Sequence, residues 1–331
     1  NKITATIGGI AVEPLSFSIK TDMNSYAWSG SLAIPAMDYP KIKEKLNAPR
    51  GSEPLITVRI NGYDFAILAE EQSRNRQFAN HSYSLGGRSI TARLGADYAL
   101  PQAGLLDQDN YASQVVNQQL ANLLINVKDF LIDDYYIPAN QYAVSGKTPI
   151  AVINDIAAAC GGFVETHPSQ PLLSLKKRWK KPAWELATAE PDVIIPADII
   201  RQIADKKRIN PRYNTATLTS SVEAGIVYRQ TESRDSEAPV TDNPLYTDKK
   251  AIMPAGTAIL SDSGIHRDYT LTMRWAEKYN IPLAELGQIW QINDPEGAWR
   301  GVVTGVSVNV TLENDAPTVW QVVDIDRYLD N

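Results

Sequence analysis

Apolar and polar residues alternate with a period of two along the first 95 residues, and this spacing places the apolar side chains on one face of a half-buried strand. The alternating segments are 3–7, 15–20, 26–34, 55–60 and 63–68. Asn61 and Gly62 separate the last two segments, and this pair tolerates the positive φ angles of a two-residue hairpin turn. We predict an antiparallel, β-barrel-like tube domain over residues 1–95, with one short charged helix near 40–46.

The middle of the chain changes to helical spacing. Apolar residues three and four positions apart predict a helix at about 110–125, followed by a short edge strand near 127–132. A second helix should begin at Thr148, which can accept a hydrogen bond from the free amides of the first turn. Pro149 follows it, and its fixed φ already suits a helix.

Gly161 and Gly162 should end this second helix, because a glycine can adopt the left-handed conformation that closes a helix C-terminus. The chain then resumes as an extended segment at 163–166 and turns back through two prolines into 172–177. We therefore predict a helix followed by a hairpin, inside an α/β insert domain over residues 96–185.

Strands return in the last third of the sequence, residues 186–331, which we interpret as a second β-barrel-like tube domain. Predicted strands lie at 213–219, 225–230, 286–292, 301–312 and 318–328, with a turn at 313–317 and a helix at 268–279. Residues 231–250 are polar and predict a long, mobile loop or arm. The fold class is therefore α+β, with two small antiparallel β-barrel-like domains flanking an inserted α/β module.

Composition excludes several classes of function. The net charge is −6, so the whole chain does not attract nucleic acid as a basic protein does. Cys160 is the single cysteine and lies on the apolar face of a predicted helix, which indicates a core residue. The three histidines are far apart in sequence and lack the spacing of a zinc site. We expect no metal, no cofactor and no membrane-spanning segment.

Three motifs suggest chemistry, and a structural interpretation is favoured for each. Gly146-Lys147-Thr148 resembles the end of a phosphate-binding loop, but position 141 is Gln where that loop needs a glycine. The basic run at 176–181 includes Trp179 and could contact phosphates, but an acidic chain favours a solvated or subunit-facing loop in which Trp179 covers apolar surface.

The third motif is a pair of carboxylates. Asp324 and Asp326 share one face of a predicted strand, where two carboxylates could hydrolyse a glycan. We favour an exposed structural pair that Arg327 and lysine-rich partner surfaces neutralise. The sequence contains no catalytic constellation, so we predict that the protein is not an enzyme.

The order of these features carries a family resemblance. Gly86-Gly87-Arg88-Ser89-Ile90-Thr91-Ala92-Arg93-Leu94 closes the first β unit, the insert ends in a helix, two glycines and a hairpin, and Gly301-Val302-Val303-Thr304-Gly305-Val306 opens the final hairpin. This order resembles the baseplate hub or tail-hub proteins of bacteriophages, which are related to the hubs of contractile injection systems.

The resemblance implies a structural virion protein at the tail tip or baseplate, assembled in the cytoplasm of the bacterial host. Three copies would form a pseudo-sixfold ring between a sixfold tail tube or distal tail protein and a threefold spike or tip. DNA would contact the ring only in transit through its lumen. The alternative is a tail protein that binds or hydrolyses glycans of the cell envelope.

Overall fold

The computed structural model describes residues 2–77, 80–230, 232–313 and 316–330. The first 95 residues are mostly extended, as their alternation predicts. Their elements are the strands β1 Ile3–Ile7, β2 Ile10–Val12, β3 Ser16–Asp22, β4 Ser29–Pro35, β5 Leu55–Ile60, β6 Tyr63–Leu68, β7 Glu71–Gln77 and β8 Asn80–Arg88, and the helix α1 Tyr39–Leu46. The short helix predicted near 40–46 is confirmed.

The middle of the chain contains the predicted helix and hairpin. Its elements are the strands β9 Asn110–Tyr111, β10 Asn126–Phe130, β11 Tyr136–Ile137, β12 Gly162–Thr166 and β13 Leu172–Lys177, and the helices α2 Ala112–Leu120 and α3 Pro149–Ala158. β12 and β13 pair antiparallel, so the predicted hairpin is confirmed. β10 joins the other side of β13 in parallel, and α2 and α3 pack together beside this sheet.

The last third is again rich in strands. Its elements are the strands β14 Val193–Pro196, β15 Ile200–Ile209, β16 Thr215–Thr219, β17 Ala224–Tyr228, β18 Thr241–Asp242, β19 Ile265–Arg274, β20 Ile289–Asp294, β21 Gly297–Glu313 and β22 Ala316–Tyr328, and the helix α4 Lys249–Asp262. β21 and β22 form the predicted final hairpin. Residues 314 and 315 of its turn lie outside the described residues.

The helix predicted at 268–279 is wrong. Residues 265–274 are strand β19, which pairs on both sides with β15 and β22. The physical reason is that Tyr269, Leu271 and Met273 are buried at every second position, a strand period that brings all three into one core. Only a short 3₁₀ turn follows, at Glu277–Tyr279.

Residues 232–250 contribute β18 to a small sheet with the order β17-β16-β18. Ala238, Leu245 and Tyr246 in this segment are buried, and α4 begins at Lys249 after an N-cap hydrogen bond from the amide of Lys250 to the carboxylate of Asp248. The predicted mobility of 231–250 remains a prediction.

A ten-stranded sheet organises the molecule. Eight of its strands follow one another in the order β15-β19-β22-β21-β3-β4-β8-β7, and β20 and β14 branch off from β21. β21 pairs with β3, so strands from the first and last thirds share one sheet and one core. The α+β class is confirmed, although the described strands form open sheets rather than a closed barrel. The domain boundaries at 95 and 185 remain predictions.

The insert is fixed to this sheet by hydrogen bonds from its hairpin. The indole Nε1 of Trp28 donates to the carbonyl of Thr166 at 2.8 Å, and the Thr166 hydroxyl donates to the carbonyl of Tyr26 at 2.6 Å. The amide of Ala66 donates to the carbonyl of Pro168 at 2.9 Å. These bonds hold the hairpin against the first β unit.

Burial makes Cys160 a poor nucleophile. Removal from solvent raises the pKa of its thiol to about 12, because the thiolate would lose its hydration and lie near Asp133. We expect a thiol reagent such as Ellman's reagent to leave the folded protein unlabelled at pH 8. The unfolded protein should react with one equivalent, and rapid labelling of the folded protein would contradict this burial.

Candidate interaction surface

The eight-strand path has two chemically different faces. One face is apolar and belongs to the core, with Phe17, Leu32, Leu85, Val310 and Val319 in neighbouring strands. The opposite face, which we call the polar face, carries mostly polar and charged side chains. One row across it follows the paired residues Glu71, Gly86, Ser31, Ser18, Asn309, Trp320 and Arg274.

A trough of 510 Å³ lies on the polar face. Serine, asparagine and glycine dominate its floor, which includes Ser18, Ser29, Ser31, Gly86, Ser307 and Asn309. Ser18 and Ser31 share a hydrogen bond between their hydroxyls at 3.2 Å. The lining also includes the charged side chains of Lys20, Glu70, Glu71 and Arg88, so the trough is polar and of mixed charge.

Arg88 lies at the end of the trough and is neutralised within the chain. Its guanidinium donates to both carboxylate oxygens of Glu70, at 3.0 and 2.8 Å, and to Asp97 at 2.6 Å. The hydrogen bond to Glu70 is the main cause that raises the pKa of Arg88 above its ordinary value. Burial, reinforced by a hydrogen bond to Glu70, raises the pKa of Tyr98. Arg88 therefore orders the local loops and is not a free cation for phosphate.

Gly87 explains part of the glycine-rich stretch. A Cβ at this position would lie 1.8 Å from the carbonyl oxygen of Leu68, so only glycine allows the end of β6 to cross this close to β8. Two residues further on, Ser89 accepts a hydrogen bond on its hydroxyl from the amide of Trp28 at 3.0 Å. The stretch is therefore required by the packing of β4, β6 and β8.

The two ends of the path, β7 and β15, are free edges. No described strand pairs with the outer side of either. Side chains are exposed on both faces of β7 from 71 to 76 and of β15 from 201 to 207. Backbone amides and carbonyls along a free edge are ready to pair with another strand. Sequence analysis missed both strands, because neither carries the apolar alternation that burial produces.

The predicted basic run is paired within the chain. The ammonium of Lys177 lies 3.0 Å from Asp133, that of Lys180 lies 2.7 Å from Asp192, and Arg178 lies 3.1 Å from Asp262. Trp179 is buried in the main core, and its indole donates to Asp262 at 2.8 Å. This arrangement fixes the segment to α4 and leaves Trp179 unable to stack on a base.

Asp324 and Asp326 share a face, but their surroundings differ. Asp326 is buried and lies 2.7 Å from Nδ1 of His266 and 3.0 Å from the guanidinium of Arg208. Asp324 is exposed and accepts a hydrogen bond from Thr270 at 2.6 Å. The predicted exposure of Asp326 and its predicted partner Arg327 are wrong. Arg208 on β15 and His266 on β19 pair with Asp326, because β19 lies beside β22 and β15 is the next strand in the sheet.

The predicted turn and cap residues occupy sharp bends of the chain. Asn61 has φ 51° and Gly62 has φ 91°, between β5 and β6, while Gly161 has φ 61° after α3 and is followed by Gly162 at the start of β12. Thr148 precedes α3 in an extended conformation, but its side chain makes no capping hydrogen bond. Pro149 and its fixed φ remain the start signal of this helix.

The described residues contain no group of three or more His, Cys, Asp or Glu side chains placed to hold a metal ion. No helix among them is long and apolar enough to cross a lipid bilayer.

Comparison with solved structures identifies the fold. A tail protein from Neisseria meningitidis MC58 superposes with a TM-score of 0.69 at 14% identity, covering 98% of this chain and 96% of that one. The 43 kDa tail protein of prophage MuSo2 from Shewanella oneidensis gives 0.65 at 15% identity and covers 98% of both chains. The chain has the fold of a bacteriophage tail protein.

The same tail-protein fold occurs in a secretion machine. An Escherichia coli component of the type VI secretion system, described as similar to the T4 tail proteins gp27 and gp5, superposes with a TM-score of 0.59 at 11% identity, covering 100% of this chain and 78% of that one. No family model matches the sequence, and no curated protein matches it. The similarity to tail proteins is therefore seen in the structure and not in the sequence comparisons.

Proposed function

We propose that this protein is a structural component of a phage tail or baseplate, a hub of which three copies form a pseudo-sixfold ring. The tail-protein fold supports the structural role. The ring is supported by one observation, a repeated arrangement of strands within the eight-strand path. The proposal gives the protein no enzymatic role, because the carboxylate pair considered for glycan hydrolysis is divided between a buried ion-pair network and a surface hydrogen bond.

The path consists of two quartets of strands. The C-terminal quartet has the spatial order β15-β19-β22-β21 and the N-terminal quartet has the order β3-β4-β8-β7. In both, the first and second strands in sequence are neighbours, and the fourth lies between the second and the third. The two quartets thus have the same topology and lie side by side, so three copies would place six equivalent quartets around an axis.

Strand directions allow such a ring to close. Every neighbouring pair in the path is antiparallel. Because the path has an even number of strands, β7 and β15 run in opposite directions. A copy added head to tail would place its β15 antiparallel to β7 of its neighbour, and the alternation would continue around the ring without a break.

Strand spacing gives the width of the ring. Three copies supply 24 strands, and strands about 4.8 Å apart, tilted by about 35°, close at a backbone radius of about 22 Å. Side chains occupy about 5 Å on each side, which leaves an opening of about 35 Å. A DNA duplex of about 20 Å passes through this opening, whereas the 16 strands of two copies would leave only about 20 Å.

The polar face would then line the lumen, since the opposite face is already buried in the core. Beside its serine and asparagine floor this face carries the cations Lys20, Lys206 and Arg274 and the carboxylates Glu71 and Asp324, so the lumen surface would be of mixed charge. We propose that a tail tube or distal tail protein binds one rim of the ring and a spike or tip protein binds the other, after assembly in the cytoplasm of the bacterial host.

Native mass spectrometry and electron microscopy of the purified protein test this function. We expect rings of three copies with a central opening of about 35 Å by the same strand arithmetic. Addition of the neighbouring tail proteins should shift the equilibrium toward rings if the free protein assembles weakly. A protein that stays monomeric both alone and with those partners would overturn the proposed ring.

A further inference from the structure

We propose that the seam between two copies repeats, residue for residue, the junction between β21 and β3 inside one copy. This inference rests on the proposed ring. It is carried by the two quartets, because equivalent quartets around one axis must meet through equivalent contacts. In that arrangement β7 takes the place of β21, and β15 of the next copy takes the place of β3.

Buried residues align the two quartets. Leu32 on β4 and Leu271 on β19 are both fully buried in the second strand of their quartet, and so are Ile34 and Met273 two positions further on. When the two quartets are superposed on these pairs, the strand registers make Ser73 equivalent to Ser307 and Asn75 equivalent to Asn309. The same alternation, with serine and asparagine on the polar face, is therefore present in β7 and β21.

This alignment fixes the register of the seam. Inside one copy, Val308 lies opposite Ile19 and Gly305 opposite Asp22. The equivalent seam pairs are Arg74 with Asp205 and Glu71 with Arg208 of the neighbouring copy. Two pairs of opposite charge would thus face each other across the seam, where such cross-strand pairs are favourable. The pairing also places Ser73 opposite Lys206, both on the polar face.

The neighbouring registers of the seam contain fewer favourable charge pairs. The pairing must move in steps of two residues, since a single step would turn the polar face into the core. One step brings Arg74 opposite Lys207, which places like charges together. The opposite step brings Arg74 opposite Ile203 and loses its ion pair. The proposed register is the one in which both Glu71 and Arg74 meet a residue of opposite charge.

The stagger of the sheet agrees with the same register. The row of paired residues that begins at Glu71, the first residue of β7, crosses the sheet and ends at the residue just before β15. From this row the two edge strands extend in opposite directions. Bringing Arg74 beside Asp205 requires a displacement of about eight residues, or about 26 Å, across eight strand spacings of about 38 Å. This corresponds to a strand tilt of about 35°, within the range of closed barrels.

A disulfide tests the register. The double variant Ser73→Cys/Lys206→Cys should link copies on mild oxidation, and denaturing gels should show covalent dimers and trimers. The matched control is Ser73→Cys/Gln202→Cys, whose second cysteine lies on the same strand and face but four residues away, beyond the reach of a disulfide. Cys160 is buried and stays in both variants.

The outcomes separate the seam from the ring. Trimers by native mass, with cross-links in the opposed pair and not in the control, would support both. Trimers without this cross-link, or with a stronger one in the control, would overturn the seam and leave the proposed function standing. Failure to form trimers in the unmodified protein, even with tail partners, would overturn the ring itself.

Charge reversal provides a second readout. Arg74→Asp and Asp205→Arg should each weaken trimer formation about tenfold, and the double variant should restore it to within about threefold. Within one copy Arg74 donates to His81 at 2.7 Å and Asp205 lies 3.5 Å from Arg267. If the two residues acted only through those contacts within one copy, the losses of the two single variants would add in the double variant. Absence of rescue would therefore overturn the Arg74–Asp205 pair.

Discussion

Gly87→Ala should destabilise the protein by about 3 kcal/mol, the upper part of the range for a side chain forced into packed structure. The added Cβ would lie 1.8 Å from the carbonyl oxygen of Leu68, and both contacting groups are backbone or rigidly attached to it. β8 must then move away from the end of β6, which also strains the hydrogen bond from the amide of Glu70 to the carbonyl of Gly86. Chemical denaturation of the monomer measures this loss.

Gly86→Ala is the matched control, because it lies next in the same strand. The nearest atom to its new Cβ is a carboxylate oxygen of Glu71 at 3.6 Å, an ordinary contact. We expect its free energy of unfolding to stay within about 0.5 kcal/mol of the parent value. Equal losses in the two variants would show that strand propensity, and not the close approach at Gly87, determines the effect.

Asp326→Asn should cost about 3 kcal/mol of stability, as expected when one partner of a buried ion pair is removed. The carboxylate of Asp326 accepts from His266 at 2.7 Å and from Arg208 at 3.0 Å, and His266 is fully buried. An asparagine keeps the shape, but within one copy it leaves Asp268 as the remaining described carboxylate paired with Arg208. Urea denaturation at neutral pH measures the difference.

Asp324→Asn is the control for this change, two residues away on the same face. Asp324 is exposed and bonds to a hydroxyl, so we expect a loss of less than about 1 kcal/mol. A larger loss for Asp324 than for Asp326 would contradict the assignment of the buried network to Asp326.

Local patterns predicted much of the fold. The hairpin at β12 and β13 follows from two glycines, a proline-containing turn and flanking apolar residues, all within 20 residues of sequence. Asn61 and Gly62 predicted the β5–β6 turn, whose two residues have positive φ. These features depend on neighbours in sequence, which a single sequence displays directly.

Features that depend on distant contacts were missed. β19 was predicted as a helix because its charged and polar positions obscure the alternation of Tyr269, Leu271 and Met273. α4 contains Pro254 and Gly256, residues that argue against a helix unless packing compensates for them. Gly256 lies tightly against Val227 of the small sheet, a contact that no local pattern reveals.

Among the elements that the sequence did not predict, the edge strands β7 and β15 matter most for the proposed function. β7 and β15 are exposed on both faces in a single copy, so burial has imposed no apolar period on them. The sequence does carry one signal for β7: its serine and asparagine match those of β21 when the two strands are compared. That comparison requires the strand order, which sequence alone does not supply.

The antiparallel ladders of the eight-strand path have a mechanical consequence. Backbone hydrogen bonds in such ladders run from strand to strand, across the strand direction. In the proposed ring they would run around the circumference, through each copy and across each seam. An object wide enough to dilate the channel would stretch many of these bonds together, whereas a thin filament sliding along the axis would stretch none. The wall of the ring would therefore resist an increase in its diameter but would not resist movement of a filament along its axis.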